Sequence, residues 1–184
     1  MKNNRKRILW ITCTAVFVAL LITAQSATSA LGNSLLTGSI VNLLLIISVM
    51  TCGLASGLTV AVISPIIAKF LGIGPFWSFI PFIIAGNITL AALWHFIGNR
   101  QHTSRKFTAY IAALLCSSVA KFLVLYVGVV QIVIPLFLNL PAPQASVLSN
   151  MFSVAQLFTA LIGGVVAIIV LPVLKNAVRK SQKM

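Results

Sequence analysis

The sequence predicts an all-α membrane protein, a bundle of six transmembrane helices with both termini cytoplasmic, and three observations carry that prediction. Hydrophobic residues make up 60% of the 184 and charged residues only 7%, whereas a soluble domain carries about a quarter charged. Apolar stretches approaching the ~20 residues that cross a hydrocarbon core of ~30 Å recur from end to end, which leaves a single integral domain and no room for a soluble one. The charged residues are all basic, and they gather at alternate connections.

The first predicted helix spans 8–30 and follows the basic run Lys2, Arg5, Lys6 and Arg7. Such a run before apolar and then small residues also describes a secretory signal peptide, but the apolar part exceeds the usual ~7–15 residues, so retention is expected. Helices over 39–52 and 57–71 are short and meet through Gly53-Leu54-Ala55-Ser56-Gly57, too tight for anything but a helical hairpin. Ser39 is the expected cap of the second helix, which would leave amide N–H groups free beside Asn42. The fourth helix, 76–98, opens with Phe76 and Trp77 after Gly72-Ile73-Gly74-Pro75. The fifth spans 107–133 and the sixth 145–174.

Lys2, Arg5, Lys6 and Arg7 precede the first helix, Arg100, Arg105 and Lys106 divide the fourth from the fifth, and Lys175, Arg179, Lys180 and Lys183 follow the sixth. Alternation of helices puts all three clusters on one side, which the positive-inside rule makes cytoplasmic. The opposite connections, 31–38, 72–75 and 134–144, carry no charge. Lys69 and Lys121 alone stand outside this pattern.

No Asp or Glu occurs anywhere. That removes carboxylate acid–base catalysis, the acidic proton relays of many pumps and a Walker B aspartate. A phosphate-binding G-x-x-x-x-G-K-[ST] loop is absent too, so energy for any transport must come from other polypeptides. Nucleic-acid binding, the first thought for so basic a chain, is not expected, because the charges flank apolar spans. Cys13, Cys52 and Cys116 are scattered without metal-ligand spacing and read as small hydrophobes; no cofactor is implied.

Lys121 lies in the middle of the fifth helix, ~18 Å below its outer end at 1.5 Å per residue. An ammonium there costs at least ~2.5–3.5 kcal/mol, and no acidic side chain in this chain can pair with it. Its partner is therefore an ion or ligand, another subunit, or carbonyls and hydroxyls of the bundle; the alternative is a neutral amine. Asn87 and Gln156 sit at a similar depth on the fourth and sixth helices, which suggests a polar pocket floor; hydrogen bonding between helices is the structural alternative. Trp94 shares the helical face of Asn87 and is expected to wall the pocket, while Asn42 lies just beneath the outer surface. Trp77 is either a ligand-stacking ring or an interfacial anchor. Lys69 can snorkel to the interface, and His95 is read as interfacial. Ala15 and Ala19 form a small-xxx-small pair on which another helix can pack.

In their order along the chain, Ala15-x-x-x-Ala19, Thr37-Gly38-Ser39-Ile40-Val41-Asn42, Gly57-Leu58-Thr59-Val60-Ala61, Gly72-Ile73-Gly74-Pro75 and Gly86-Asn87 resemble the S components of energy-coupling factor (ECF) vitamin transporters. The resemblance covers nearly the whole chain. It implies a non-enzymatic subunit of a bacterial plasma membrane that binds a vitamin-like small molecule, here neutral or anionic, near the extracellular face. It implies as partners a transmembrane T component, met through Ala15 and Ala19, and two ATPase subunits. A standalone facilitator or channel, a structural membrane protein and, least of all, a membrane enzyme are the alternatives.

Overall fold

In a computed structural model, residues 2–74, 76–99, 106–138 and 140–181 are described, and all regular structure among them is helical. Pro75, Arg100, His102, Arg105 and Lys183 lie outside the described residues, as do the side chains of Lys2, Arg5, Lys6, Lys106, Arg179 and Lys180. In order, the elements are α1 (Lys2–Ser29), α2 (Ser34–Cys52), α3 (Leu54–Phe70), a 3₁₀ turn (Trp77–Phe79), α4 (Ile80–Gly98) and α5 (Lys106–Leu125). A π-helical stretch (Tyr126–Val133) and α6 (Ile134–Phe137) continue α5 without a break, and α7 (Ala142–Phe152) and α8 (Val154–Ser181) complete the chain.

Five helical stretches, 7–29, 34–52, 77–98, 107–137 and 142–175, are long and apolar enough to cross a membrane, while Leu54–Phe70 is apolar but shorter. Their side-chain pattern is that of a bundle in an apolar solvent. Along α5, Phe107, Ile111, Leu115, Val119 and Leu123 are exposed at every fourth position, whereas Ala113, Leu114, Ser117, Ser118, Lys121 and Leu125 are buried. Large apolar residues outward and small or polar ones inward is the arrangement expected where lipid, not water, surrounds the helices. The chain is thus compatible with a multi-pass membrane protein.

Several boundaries differ from the sequence-based expectation, each for a local reason. The second helix begins at Ser34, because Asn33 caps it by accepting a hydrogen bond from the Leu36 N–H at 3.1 Å. Ser39 is therefore not a cap; it lies inside α2 and donates to the Leu35 carbonyl at 2.8 Å. Only Gly53 separates α2 from α3, and its φ of 92° is a backbone state open to glycine at little cost. The expected sixth helix is two, α7 and α8, parted at Ser153. There the Ser153 hydroxyl donates to the Asn150 carbonyl at 3.3 Å, a side-chain bond that competes with the helical ladder.

Two apolar clusters hold the bundle. The larger joins α1, α2, α4, α5 and α8 through Leu21, Leu45, Leu90, Trp94, Leu114 and Leu171. The smaller ties the start of α4 to the π segment and α7 through Phe79, Leu125, Val129, Val133 and Phe152, with Phe79 and Phe152 edge to face at 5.0 Å. Helices α2 and α8 approach backbone to backbone at Gly163, where a Cβ would lie 2.5 Å from the Ser39 carbonyl oxygen.

Candidate functional site

A cavity of about 360 Å³ opens at the end of the bundle that carries the α1–α2 and α3–α4 connections. Its rim comes from Gln25 and Ser29 of α1 and from Asn33, Thr37 and Gly38 around the start of α2, with Ile73 and Gly74 on the other connection. The break at Ser153 supplies Met151, Phe152 and Gln156. Asn87 and Lys121 lie on its floor, the deepest of these positions by their place along α4 and α5.

Lys121 is only 3% exposed and is held from two sides. Its Nζ donates to Asn42 Oδ1 at 2.6 Å and to Asn87 Oδ1 at 2.8 Å. Asn42 cannot turn away, because its Nδ2 donates to Thr159 Oγ1 at 3.3 Å, and that hydroxyl donates to the Gln156 carbonyl at 3.0 Å. The network thus runs α4–α5–α2–α8, with both amide oxygens aimed at the one side chain that has no acceptor capacity as an ammonium. Each bond of this kind in a bilayer contributes about 0.6 kcal/mol on average. Their joint effect is to fix the lysine amine at one point of the floor.

Around the cavity, three further polar groups stand without partners among the described residues. The Asn87 amide NH₂ makes no hydrogen bond among the described residues, its oxygen being taken by Lys121. Ser64 Oγ and Gln25 Oε1, both on the cavity wall, are buried and unpaired among those residues. Ser64 precedes Pro65, which lies inside α3 and removes one backbone donor from that turn. Beneath Asn87 the bundle is packed shut: Leu90, Ala91, Trp94, Ala113 and Leu114 are buried against one another.

Of the residues singled out from sequence, Asn87, Lys121 and Gln156 do line one cavity. Asn42 belongs to the site, but not as a residue of a helix start: it lies ~12 Å along α2 from Ser34 at 1.5 Å per residue, is fully buried, and reaches the cavity only through Lys121. Gln156 is on the rim rather than in mid-helix. It stands in the first turn of α8, and its Nε2 donates to the Met151 carbonyl at 3.2 Å, a group that the break leaves free. Trp94 does not wall the cavity. It is fully buried in the larger core, tilted against Tyr110 at 6.2 Å, because the turns of α4 between it and Asn87 are sealed.

Trp77 also lies outside the cavity, exposed and edge-on to Phe70 at 5.1 Å. Lys69 is half-buried in the last turn of α3 and His95 half-buried near the end of α4. Ala15 and Ala19 are exposed on α1, and Ala15 borders an apolar groove between α1 and α3 with Trp10, Val18, Thr59 and Ile63. Sequence reasoning does not single out Gln25, Ser64 or Thr159. Ser64-Pro65 inside an apolar stretch is the one available signal among them. Compared with protein-family models, characterised proteins and solved structures, the chain matches none.

Proposed function

We propose that this chain is the substrate-binding S component of an ECF-type importer in a bacterial plasma membrane. In this reading six helices cross the bilayer, α3 as the shortest and α7–α8 as one broken span. The basic clusters and both termini face the cytoplasm, so the cavity opens outward. It captures a vitamin-like micronutrient, neutral or anionic, which a T component and two ATPases then help deliver.

The observation that supports this most is the cavity itself: roomy, dead-ended and floored by a lysine whose only partners among the described residues are two asparagine carbonyls. A concave, largely apolar site with a few convergent polar groups is the usual form of a small-molecule site. A channel or facilitator needs polar lining through the full depth, and the core around Leu90, Trp94 and Leu114 interrupts it. The exposed Ala15 and Ala19 on α1 leave a surface that another helix can approach closely.

Uptake assays in cells test the reading. Replacing Ala15 and Ala19 together by Leu should leave ligand binding within about twofold while abolishing uptake and co-purification of the T component, since a bulky side chain blocks close helix approach. Uptake that persists after the partner ATPases are disabled would instead favour a facilitator.

A further inference from the structure

We infer that the molecule held in this cavity is a small monocarboxylate, its anionic end on Lys121 and its uncharged body against the apolar wall. The inference rests on the capture reading above and adds the chemical class of the captured molecule.

The floor sets the charge. Lys121 Nζ as an ammonium has three N–H bonds; two go to Asn42 and Asn87, and one remains. The neighbouring Asn87 NH₂ is a second donor, because the amide oxygen is already fixed on the lysine. Two donors side by side fit the two oxygens of one carboxylate. The chain holds no Asp or Glu, so no side chain of its own can balance the lysine. A neutral occupant would leave a cation uncompensated in a low-dielectric site, which is costly. An occupant with a second negative charge would reverse the problem, and a cationic one would meet a like charge.

The walls set the rest. Val41, Pro65, Ile83, Leu125, Met151 and Phe152 offer an apolar surface, while Ser29, Asn33 and Thr37 add polar groups at the rim. The volume of about 360 Å³ equals about a dozen waters at ~30 Å³ each. That suits one ring system or a short branched chain with a hydroxyl or amide along it.

The test uses matched probes on the full-length protein purified in detergent. Nicotinate, pantothenate and indole-3-acetate are each titrated beside the uncharged nicotinamide, panthenol and indole-3-acetamide, with thiamine as a cation. At least one acid should bind about 100-fold more tightly than its counterpart, the size expected when a buried charge loses its partner. Lys121→Met should lower binding of that acid about 100-fold and that of the counterpart less than about fivefold, and Lys121→Arg should recover part of the acid's loss. The acid-to-counterpart ratio needs no variant, so it stands even if Lys121→Met fails to insert. Equal affinity of acid and counterpart, preferential binding of thiamine, or no binding by any acid overturns the inference. Acid binding combined with uptake that ignores the ATPases would remove the importer reading and keep the carboxylate. A neutral binder whose uptake needs the ATPases would do the reverse.

Discussion

The two halves of α4 present one continuous face to the bundle interior and meet opposite surroundings. Asn87 looks onto a cavity and holds a lysine at 2.8 Å. Seven residues on, Trp94 is sealed among Leu90, Leu114 and Leu171 with its indole N–H unpaired among the described residues. The helical geometry is the same in both halves; what differs is the residue that faces each from α5. Lys121 stands toward the cavity half, Leu114 and Ala113 toward the sealed one. A polar site in a membrane bundle therefore needs a dry layer beneath it, or solute and water would pass through.

Breaking the sealed half should cost the most stability. Trp94→Ala removes the largest fully buried side chain and should destabilise the fold by about 3 kcal/mol, the low end for such truncations, because helix association in lipid lacks the hydrophobic term. Ligand affinity should change less than about threefold. Chemical denaturation in micelles alongside equilibrium binding reads both.

Breaking the polar half should do the opposite. Asn87→Leu leaves Lys121 with a single carbonyl and takes away a donor to the ligand; binding should weaken by about 2 kcal/mol, measured by titration calorimetry, with a smaller loss of stability. Thr159→Val is the mildest change. It deletes the 3.3 Å bond that orients Asn42, so stability should fall by about 0.6 kcal/mol, detectable as a small shift in the same denaturation curves.

Much of this contrast is legible in the amino-acid sequence. A lysine in the middle of an apolar helix without an acidic partner announces a buried network, and the depth of Asn87 follows from counting along α4. Trp94 shows the limit of that reasoning: a seven-residue spacing fixes the face, but not which turns of it are packed shut. The apolar pattern sets Asn42 too shallow because it starts the helix at the first unbroken apolar run, while Asn33, an ordinary capping residue, starts it earlier. The bend at Ser153 has neither Gly nor Pro to mark it. It moves Gln156 from mid-helix to the cavity rim, where the side chain takes up the Met151 carbonyl. The π-helical run at Tyr126–Val133 is equally hidden, and Phe82 packs on Gly128 within it.

In the proposed function the cavity around Lys121 holds a captured molecule. Native mass spectrometry of the gently purified protein tests this most directly, with Lys121→Met as its control. The wild-type protein should carry one small molecule per chain, and the variant, inserted and folded to the same extent, should carry none. An identical bound mass on both proteins would contradict the claim.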